Sequence, residues 1–457
     1  MPEILVRFIV NHRIMGDDEL TRRTVLYGSA GMAAAGMIPV AKASPKPQPG
    51  DLETEEPPEE AIEEAVEKAT DSEELSPKAE PAEEEIIKRK TLKAAVLGHT
   101  GAGNFGHGLD VVFNRLDGVR LIAISDEDDV GLEKAHTRTG AINGYESYQK
   151  LFENEQPDIV AVAPRWTDQH HAMVEAALTA GAHVYCEKPF TRTLKEADEL
   201  LKLAEDHNLK IAVAHQMRCD PYLKRFHAEQ KELIGELLEM RVYGKMDHRV
   251  GGEDMLVLGT HLFDIVRLFG GEVQYCTARI FKDGSPAIAE DAHESKKENL
   301  GPVLGNSIRA EFVMDSGISV TFISDERYRE LVGPWGIEFI GTKSTMRLFA
   351  NHPPRFSLLE RGDPRSADRF ETWKQWPEVD GEYHPMFEKL TGMDSANRRV
   401  IKDFLDAIEN NREPESSGKR AMKALEMIHG VWQAGSTMKR AYFPLTNRLH
   451  PLSEESR

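Results

Sequence analysis

A short apolar run followed by closely spaced glycines is the feature that most restricts how this chain can fold. Residues 92–97 are mostly apolar, and Gly98, Gly101, Gly103 and Gly106 follow before a helical pattern from His107 to Arg115. The last three glycines fit G-x-G-x-x-G, in which missing side chains let backbone N–H groups approach a diphosphate. The order predicts a strand, a glycine loop and a helix.

A second apolar run, 119–125, ends at Asp126. A carboxylate at this offset accepts hydrogen bonds from the adenosine ribose of NAD and repels the 2′-phosphate of NADP. We therefore predict NAD as the cofactor, with NADP less favoured. The predicted cofactor contacts in this part of the chain are Gly98, Gly101, Gly103, Asn104, Phe105, Gly106 and Asp126.

Strand and helix patterns alternate beyond Asp126. Further strands are predicted at 158–163, 183–186 and 209–214, with helices at 170–180 and 194–207 between them. This alternation predicts a parallel sheet covered on both faces, with ligands beyond the strand ends. We assign residues 91–214 to an α/β Rossmann domain.

The rest of the chain changes character. Strand-like runs recur at 237–243, 273–281, 307–314, 318–324 and 336–340, and Asp315-Ser316-Gly317 is a hairpin turn signal. We predict an α+β domain at 215–457 with a large, mostly antiparallel open sheet. The three cysteines match no disulfide framework or zinc site, so we expect buried thiols and no metal.

The first ninety residues are predicted to hold an export signal and a spacer. Arg22 and Arg23 precede a weakly apolar stretch, 25–40, and an Ala-Lys-Ala site, which resembles a twin-arginine export signal at 1–43. The stretch is short for a membrane span, so we expect cleavage, an extracytoplasmic protein and no span in the mature form. Translation from Met15 would give an ordinary signal.

Charge is concentrated in the spacer predicted at 44–90. Residues 51–90 hold sixteen acidic and five basic side chains, more than half of the chain's net charge of -20. Such a segment buries too little apolar surface to order itself. The acidic balance argues against a nucleic-acid partner, because phosphate binding needs clustered Lys and Arg.

The strand at 183–186 ends in Cys186-Glu187-Lys188-Pro189. This places Lys188 at the sheet edge where ligands bind, and it could act as a general acid or base if desolvation lowers its pKa. The alternative is a surface lysine paired with Glu187.

The order of these motifs resembles the glucose-fructose oxidoreductase, inositol dehydrogenase and MocA-like family, over most of residues 91–446. The resemblance rests on the glycine loop, Asp126, His170, the Glu187-Lys188-Pro189 tripeptide and the segment 251–264. It implies that His170, Glu187 and Lys188 contact the cofactor, that Lys188 also contacts the substrate, and that His261 transfers a proton. It also implies a homo-oligomer.

The chain departs from the family pattern in two places. An aspartate is common four residues before the histidine, where this chain has Val257; Asp254 or Asp264 could substitute. An insert before His170 could bring Arg165 and Trp166 to the cleft mouth, where an indole stacks well on a sugar. Further candidate substrate residues are Arg218 and Arg249.

Together these features predict an oxidoreductase that moves a hydride between NAD and a secondary hydroxyl of a sugar, glycoside or cyclitol. Two alternatives remain open. One is a redox-neutral glycosidase or lyase that retains NAD and works through a transient ketone. The other is a sugar sensor that binds NAD without catalysis, which Val257 makes conceivable.

Overall fold

The computed structural model describes residues 91–295, 297–331, 335–361, 371–377 and 392–456. The predicted signal at 1–43 and spacer at 44–90 lie outside the described residues. Within those ranges, no helix is long and apolar enough to cross a membrane.

The nucleotide-binding domain forms a parallel sheet, as predicted, but of six strands, since the strand at Asn143–Tyr145 was not predicted from the sequence. Its strands are β1 (Leu92–Leu97), β2 (Val119–Ser125), β3 (Asn143–Tyr145), β4 (Ile159–Val162), β5 (His183–Cys186) and β6 (Ile211–Val213). Their order is β3-β2-β1-β4-β5-β6. The order reverses between β1 and β4, and a crevice opens beyond the strand ends at such a point.

Four helices connect these strands: α1 (Asp129–Thr139), α2 (Tyr148–Asn154), α3 (His170–Thr179) and α4 (Leu194–Asp206). The start of α4 is fixed by a capping box between Thr193 and Glu196. The helix predicted at His107–Arg115 is wrong. His107 and Gly108 have φ angles of 47° and 77°, which an α-helix cannot contain. The structure instead has a short 3₁₀ helix at Gly106–Val111.

The second sheet is large and mostly antiparallel, as predicted. Its strands run in the order β17-β16-β15-β14-β7-β13-β12-β8-β18, with β9 beside β8 and only β7 and β13 parallel. The central strands are β7 (Leu237–Tyr243), β8 (Val273–Lys282), β12 (Ser307–Met314), β13 (Ser319–Asp325) and β14 (Gly336–Gly341). The outer strands are β9 (Ser285–Pro286), β15 (Thr345–Phe349), β16 (Arg355–Arg361), β17 (Glu371–Trp376) and β18 (Ala441–Tyr442). A separate hairpin pairs β10 (His293–Ser295) with β11 (Gly301–Val303).

Five further helices complete the described structure: α5 (Pro221–Ile234), α6 (Gly252–Val257), α7 (Gly259–Gly270), α8 (Gly392–Glu409) and α9 (Gly418–Thr437). Helices α5, α7 and α9 pack against the large sheet, where Phe226 meets Phe339 and Phe263 meets Phe312. Helix α8 instead joins the core of the first sheet: Val400, Ile401 and Phe404 cluster with residues of β1, β2 and β4. The predicted domain boundary after residue 214 follows β6, but α8 crosses back over it.

Candidate active site

Lys188 lies directly after β5, at the edge of the sheet where β1 carries the glycine loop. The residue is only 4% exposed, and its ammonium group donates a hydrogen bond to the carbonyl oxygen of Val257 at 3.4 Å. A surface lysine is therefore excluded. The contact joins the end of β5 to the helix that precedes His261.

The charge on Lys188 is set by burial and by groups from three other segments. Burial lowers the pKa of Lys188, the carboxylates of Glu187 and Glu298 oppose that effect, and Arg249 and Arg165 lower the pKa further. The result is a lysine that releases its proton more easily than a surface lysine. In its neutral form such an amine can accept a proton from an alcohol.

Glu187 is fully buried, and one of its carboxylate oxygens is hydrogen-bonded to His107 Nδ1. Burial alone would raise the pKa of Glu187, but His107 and Lys188 outweigh burial and bring the pKa below its usual value. The glycine loop and the Glu187-Lys188-Pro189 tripeptide are thus joined by a side-chain contact.

His261 lies in the first turn of α7, where it is 5% exposed. Burial, reinforced by His215 and Lys188, lowers the pKa of His261 well below its usual value. Its ring meets that of His215 with centroids 5.2 Å apart, and His215 Nε2 lies 3.1 Å from the Thr260 hydroxyl. The predicted pair, Lys188 and His261, therefore lies in one electrostatically coupled group.

Neither aspartate considered as a replacement at position 257 is free to take that role. Asp254 accepts hydrogen bonds from Ser324 Oγ at 2.6 Å and from two backbone N–H groups, and burial raises its pKa to about 6. Asp264 forms a buried ion pair with Arg218, with Arg218 Nε 3.1 Å from Asp264 Oδ2. These contacts give Asp254 a structural role and leave Arg218 and Asp264 occupied with each other.

The other predicted substrate residues are Arg249 and Trp166, and of these Arg249 acts electrostatically on Lys188. Arg249 binds Asp247 through two side-chain hydrogen bonds and approaches Glu298 at 3.7 Å. Trp166 is partly exposed, in the loop after β4. In the same loop, Arg165 Cγ would lie 2.5 Å from a side chain at Gly106, so Arg165 runs along the glycine loop.

His170 fixes two loops of the site rather than presenting its ring to the cleft. Its Nδ1 lies 2.8 Å from the carbonyl oxygen of Pro189, and its Nε2 lies 2.7 Å from that of Pro164. The ring is fully buried. His170 therefore holds the segment after Lys188 against the loop after β4.

The glycine loop fits the diphosphate of a dinucleotide. Gly101 has a φ of 88° and open space where a side chain would stand, whereas a side chain at Gly103 would lie 2.4 Å from the backbone nitrogens of Arg165 and Trp166. Among the described residues, no acceptor pairs with the N–H groups of Gly103 and Phe105. Two donors at the β1 strand end are thus available to phosphate oxygens.

Three predicted cofactor residues have partners within the protein. The Asn104 side chain accepts a hydrogen bond from Gly101 N at 3.0 Å, and the Phe105 ring occupies the space beside Gly98. Asp126, 1% exposed, accepts hydrogen bonds from both Thr100 N and Thr100 Oγ1. A ribose contact with Asp126 would have to share oxygens that already hold the loop.

Sequence reasoning missed several residues that the fold brings to this site. His107 and His352 act on His261 electrostatically, Glu298 acts on Lys188, and the ring of Trp335 lies 6.3 Å from that of His261. Of these residues, only His107 could have been found from the sequence, because it directly follows Gly106, the last glycine of the loop. The described residues contain no group of three or more candidate ligands arranged around a metal position.

Residues 93–215 match the Gfo/Idh/MocA family model, which describes an oxidoreductase family with an NAD-binding Rossmann fold. This chain is an NAD-binding oxidoreductase whose nucleotide-binding domain is similar to that family. The match covers about a quarter of the chain, the part that carries the glycine loop and Lys188.

Relatives of the oxidoreductase extend the likeness into the second half. D-apiose dehydrogenase of Paraburkholderia graminis is 23% identical over 359 residues, covering 75% of this chain and 87% of that protein. A glycosyl hydrolase family 109 protein of Shewanella sp. strain ANA-3 is 33% identical over 121 residues, 24% of this chain and 26% of that protein.

Solved structures share the fold of both halves. Levoglucosan dehydrogenase in complex with NADH and L-sorbose superposes with a TM-score of 0.59 at 16% identity, over 78% of this chain and 100% of that chain. The arrangement of a parallel nucleotide-binding sheet followed by a large, mostly antiparallel sheet is therefore shared.

Proposed function

We propose that this oxidoreductase oxidises a secondary hydroxyl of a sugar, glycoside or cyclitol, or catalyses the reverse reduction. The observation that carries the proposal is the buried Lys188, whose pKa is lowered, beside His261 at the strand end next to the glycine loop. Relatives named as sugar dehydrogenases support the substrate class.

The two residues would divide the work by their proton affinities. NAD, if held by the glycine loop, would supply the acceptor for the hydride of the carbinol carbon. Lys188 in its neutral form would take the hydroxyl proton, because burial lowers its pKa and so favours the neutral amine. His261, whose pKa lies well below its usual value, stays neutral and orients that hydroxyl by a hydrogen bond.

A sugar panel with NAD, followed by NADH absorbance, tests this proposal. Lys188→Met should lower kcat by about 10²- to 10⁴-fold, the usual contribution of general acid–base catalysis, while NAD still binds. Lys195→Met, an exposed lysine on α4, is the matched control. Unchanged turnover in the Lys188 variant would contradict the catalytic role.

A redox-neutral reaction is the second candidate. The likeness of 121 residues of this chain to a family 109 glycosyl hydrolase favours it. In that reaction the substrate is oxidised, loses its glycosidic substituent and is reduced again. Product release without net NADH, from protein purified with its cofactor bound, would support this candidate over the first.

We also propose export by the twin-arginine route and a homo-oligomer. The first rests on the sequence at 1–43, and mass spectrometry of the exported protein tests it through the position of the mature N-terminus. The second rests on family resemblance and on the outer face of the large sheet, which carries Arg241, Arg279 and Arg309 around a cavity of about 640 Å³. Light scattering after size-exclusion chromatography measures the assembly.

A further inference from the structure

The turn of the β10–β11 hairpin reaches from the second half of the chain to the nucleotide-binding half. Glu298 and Asn299 form this turn, with φ angles of 53° and 45°. The carbonyl oxygen of Glu298 accepts a hydrogen bond from Thr167 N at 3.2 Å, and Asn299 Nδ2 donates to Asp168 Oδ2 at 2.6 Å. The turn is therefore held against the loop that follows β4.

The turn end of the same hairpin is also fixed to the helix that leads toward His261. Ser295 Oγ donates to Glu253 Oε1 at 2.8 Å, and Lys297 Nζ donates to Glu253 Oε2 at 3.3 Å. Glu253 stands in the first turn of α6, and α6 ends at Val257. The hairpin is thus tied to the helix whose last residue, Val257, accepts a hydrogen bond from Lys188.

The carboxylate of Glu298 is largely enclosed and incompletely paired. Its side chain is 15% exposed, and Arg249 Nη1 is 3.7 Å from Oε1, beyond hydrogen-bond distance. Among the described residues, Oε2 is buried with no hydrogen-bond partner. A buried carboxylate without a full set of partners is destabilising, and nearby positive charge offsets that cost.

We propose that Glu298 is a positioning residue of the active site, whose carboxylate is the counter-charge facing Lys188 in place of the carboxylate absent at position 257. The proposal rests on the proposed function for the role of Lys188. This role of Glu298 would explain how the site can lack an aspartate at position 257. It would also give a reason for the contacts of the β10–β11 hairpin with both domains.

The charges around Lys188 determine what the loss of Glu298 would do. The negatively charged neighbours of Lys188 are Glu187 and Glu298, and the positively charged ones are Arg249 and Arg165. Two histidines also interact with Lys188 electrostatically: His215, which follows β6, and His261 on α7. Removal of Glu298 leaves Glu187 alone against two guanidinium groups. Lys188 would then lose its proton at lower pH.

The direct test measures Lys188 itself, without turnover. Full-length wild type, Glu298→Gln and Glu294→Gln are labelled with an amine-reactive reagent across a pH series, and labelling of Lys188 is read by peptide mass spectrometry. Glu294 lies on the same hairpin, exposed and 3.5 Å from Arg192, and serves as the control. We expect E298Q to lower the titration midpoint of Lys188 by about one pH unit and E294Q to leave it unchanged.

Two further variants strengthen the test. Glu298→Asp withdraws the carboxylate by one methylene, should give a smaller shift in the same direction, and replaces E298Q if that variant does not fold. Val257→Asp combined with E298Q should return the midpoint toward the wild-type value, because it restores a carboxylate one helical turn before His261. An unchanged midpoint in a folded E298Q or E298D protein overturns the proposal.

Turnover separates this proposal from the proposed function. On a sugar that the wild type oxidises, E298Q should lower kcat by up to about tenfold, move the acid limb of the pH profile to lower pH and leave the Kd for NAD unchanged. If no sugar is turned over but the Lys188 midpoint still shifts, the proposed function fails and the role of Glu298 as counter-charge stands. Normal turnover with a normal pH profile in E298Q overturns that role.

Discussion

The buried pair of Arg218 and Asp264 distinguishes a structural role from a substrate-binding role in one experiment. Arg218 Nε lies 3.1 Å from Asp264 Oδ2, and the two side chains are 4% and 2% exposed. At an effective dielectric constant of about 20, two charges at this separation attract by about 5 kcal/mol. Asp264→Asn leaves the guanidinium buried without its counter-charge, so we expect a loss of about 3–5 kcal/mol in the free energy of unfolding.

Replacing both partners should cost far less than replacing one. Arg218→Met with Asp264→Leu removes both charges and fills the space with apolar atoms, and we expect stability within about 1 kcal/mol of wild type. Urea unfolding followed by circular dichroism measures each variant. Arg225→Met, which breaks an exposed pair with Glu229 at 2.8 Å, is the control and should cost under about 1 kcal/mol.

The reasoning about this pair would be refuted by one pattern of results. If Asp264→Asn unfolds at nearly the wild-type urea concentration but raises KM for the sugar, the pair serves the substrate. Equal losses in the single and double variants would show that side-chain volume, rather than charge, holds this region.

Three further predictions concern the loop, the C-terminal segment and α8. Gly103→Ala should weaken NAD binding at least tenfold in calorimetric titration, because the added Cβ would lie 2.4 Å from two backbone nitrogens. The control is Gly181→Ala, at a residue whose φ is also positive but whose Cβ would meet open space, and this variant should bind NAD as the wild type does. Burial lowers the pKa of His450 to about 4, so protonation favours the unfolded chain as the pH falls from about 6.5 to 4. The wild type should therefore lose about 3 kcal/mol in the free energy of unfolding between pH 7 and pH 4 through this residue, and His450→Gln should not. Urea unfolding at both pH values measures the difference. Phe404→Ala should cost about 3–5 kcal/mol in urea unfolding and lower NAD affinity, and a normal affinity would show that α8 does not support the glycine loop.

The sequence patterns predicted the parts of the fold that depend on neighbours in the chain. Apolar runs and turn residues correctly predicted β1, β2, β4–β6 and the central strands of the large sheet. They could do so because the spacing of apolar residues and the position of turn residues are local properties of the sequence. The position of Lys188 at a strand end followed from the same local pattern. The buried, electrostatically coupled state of Lys188 required the fold.

The remaining features depend on contacts between distant segments. Glu298 and Lys188 are far apart in sequence, and no periodicity connects a hairpin turn with a strand end. The predicted helix after Gly106 is absent because His107 turns back to meet Glu187, a contact that a helical pattern does not encode. The aspartates near position 257 were candidates by helical spacing alone, whereas their partners, Ser324 and Arg218, come from other elements.

Helix α8 makes the nucleotide-binding half dependent on the end of the chain. Asn397 Nδ2 donates a hydrogen bond to the carbonyl oxygen of His107, and its Oδ1 accepts from Tyr185 and Gln216. During synthesis the first sheet is made early, but one face of it stays uncovered until residue 404 has emerged from the ribosome. We therefore expect the nucleotide site to be completed only after residue 404 has been made, so that a bound cofactor reports a chain that includes α8.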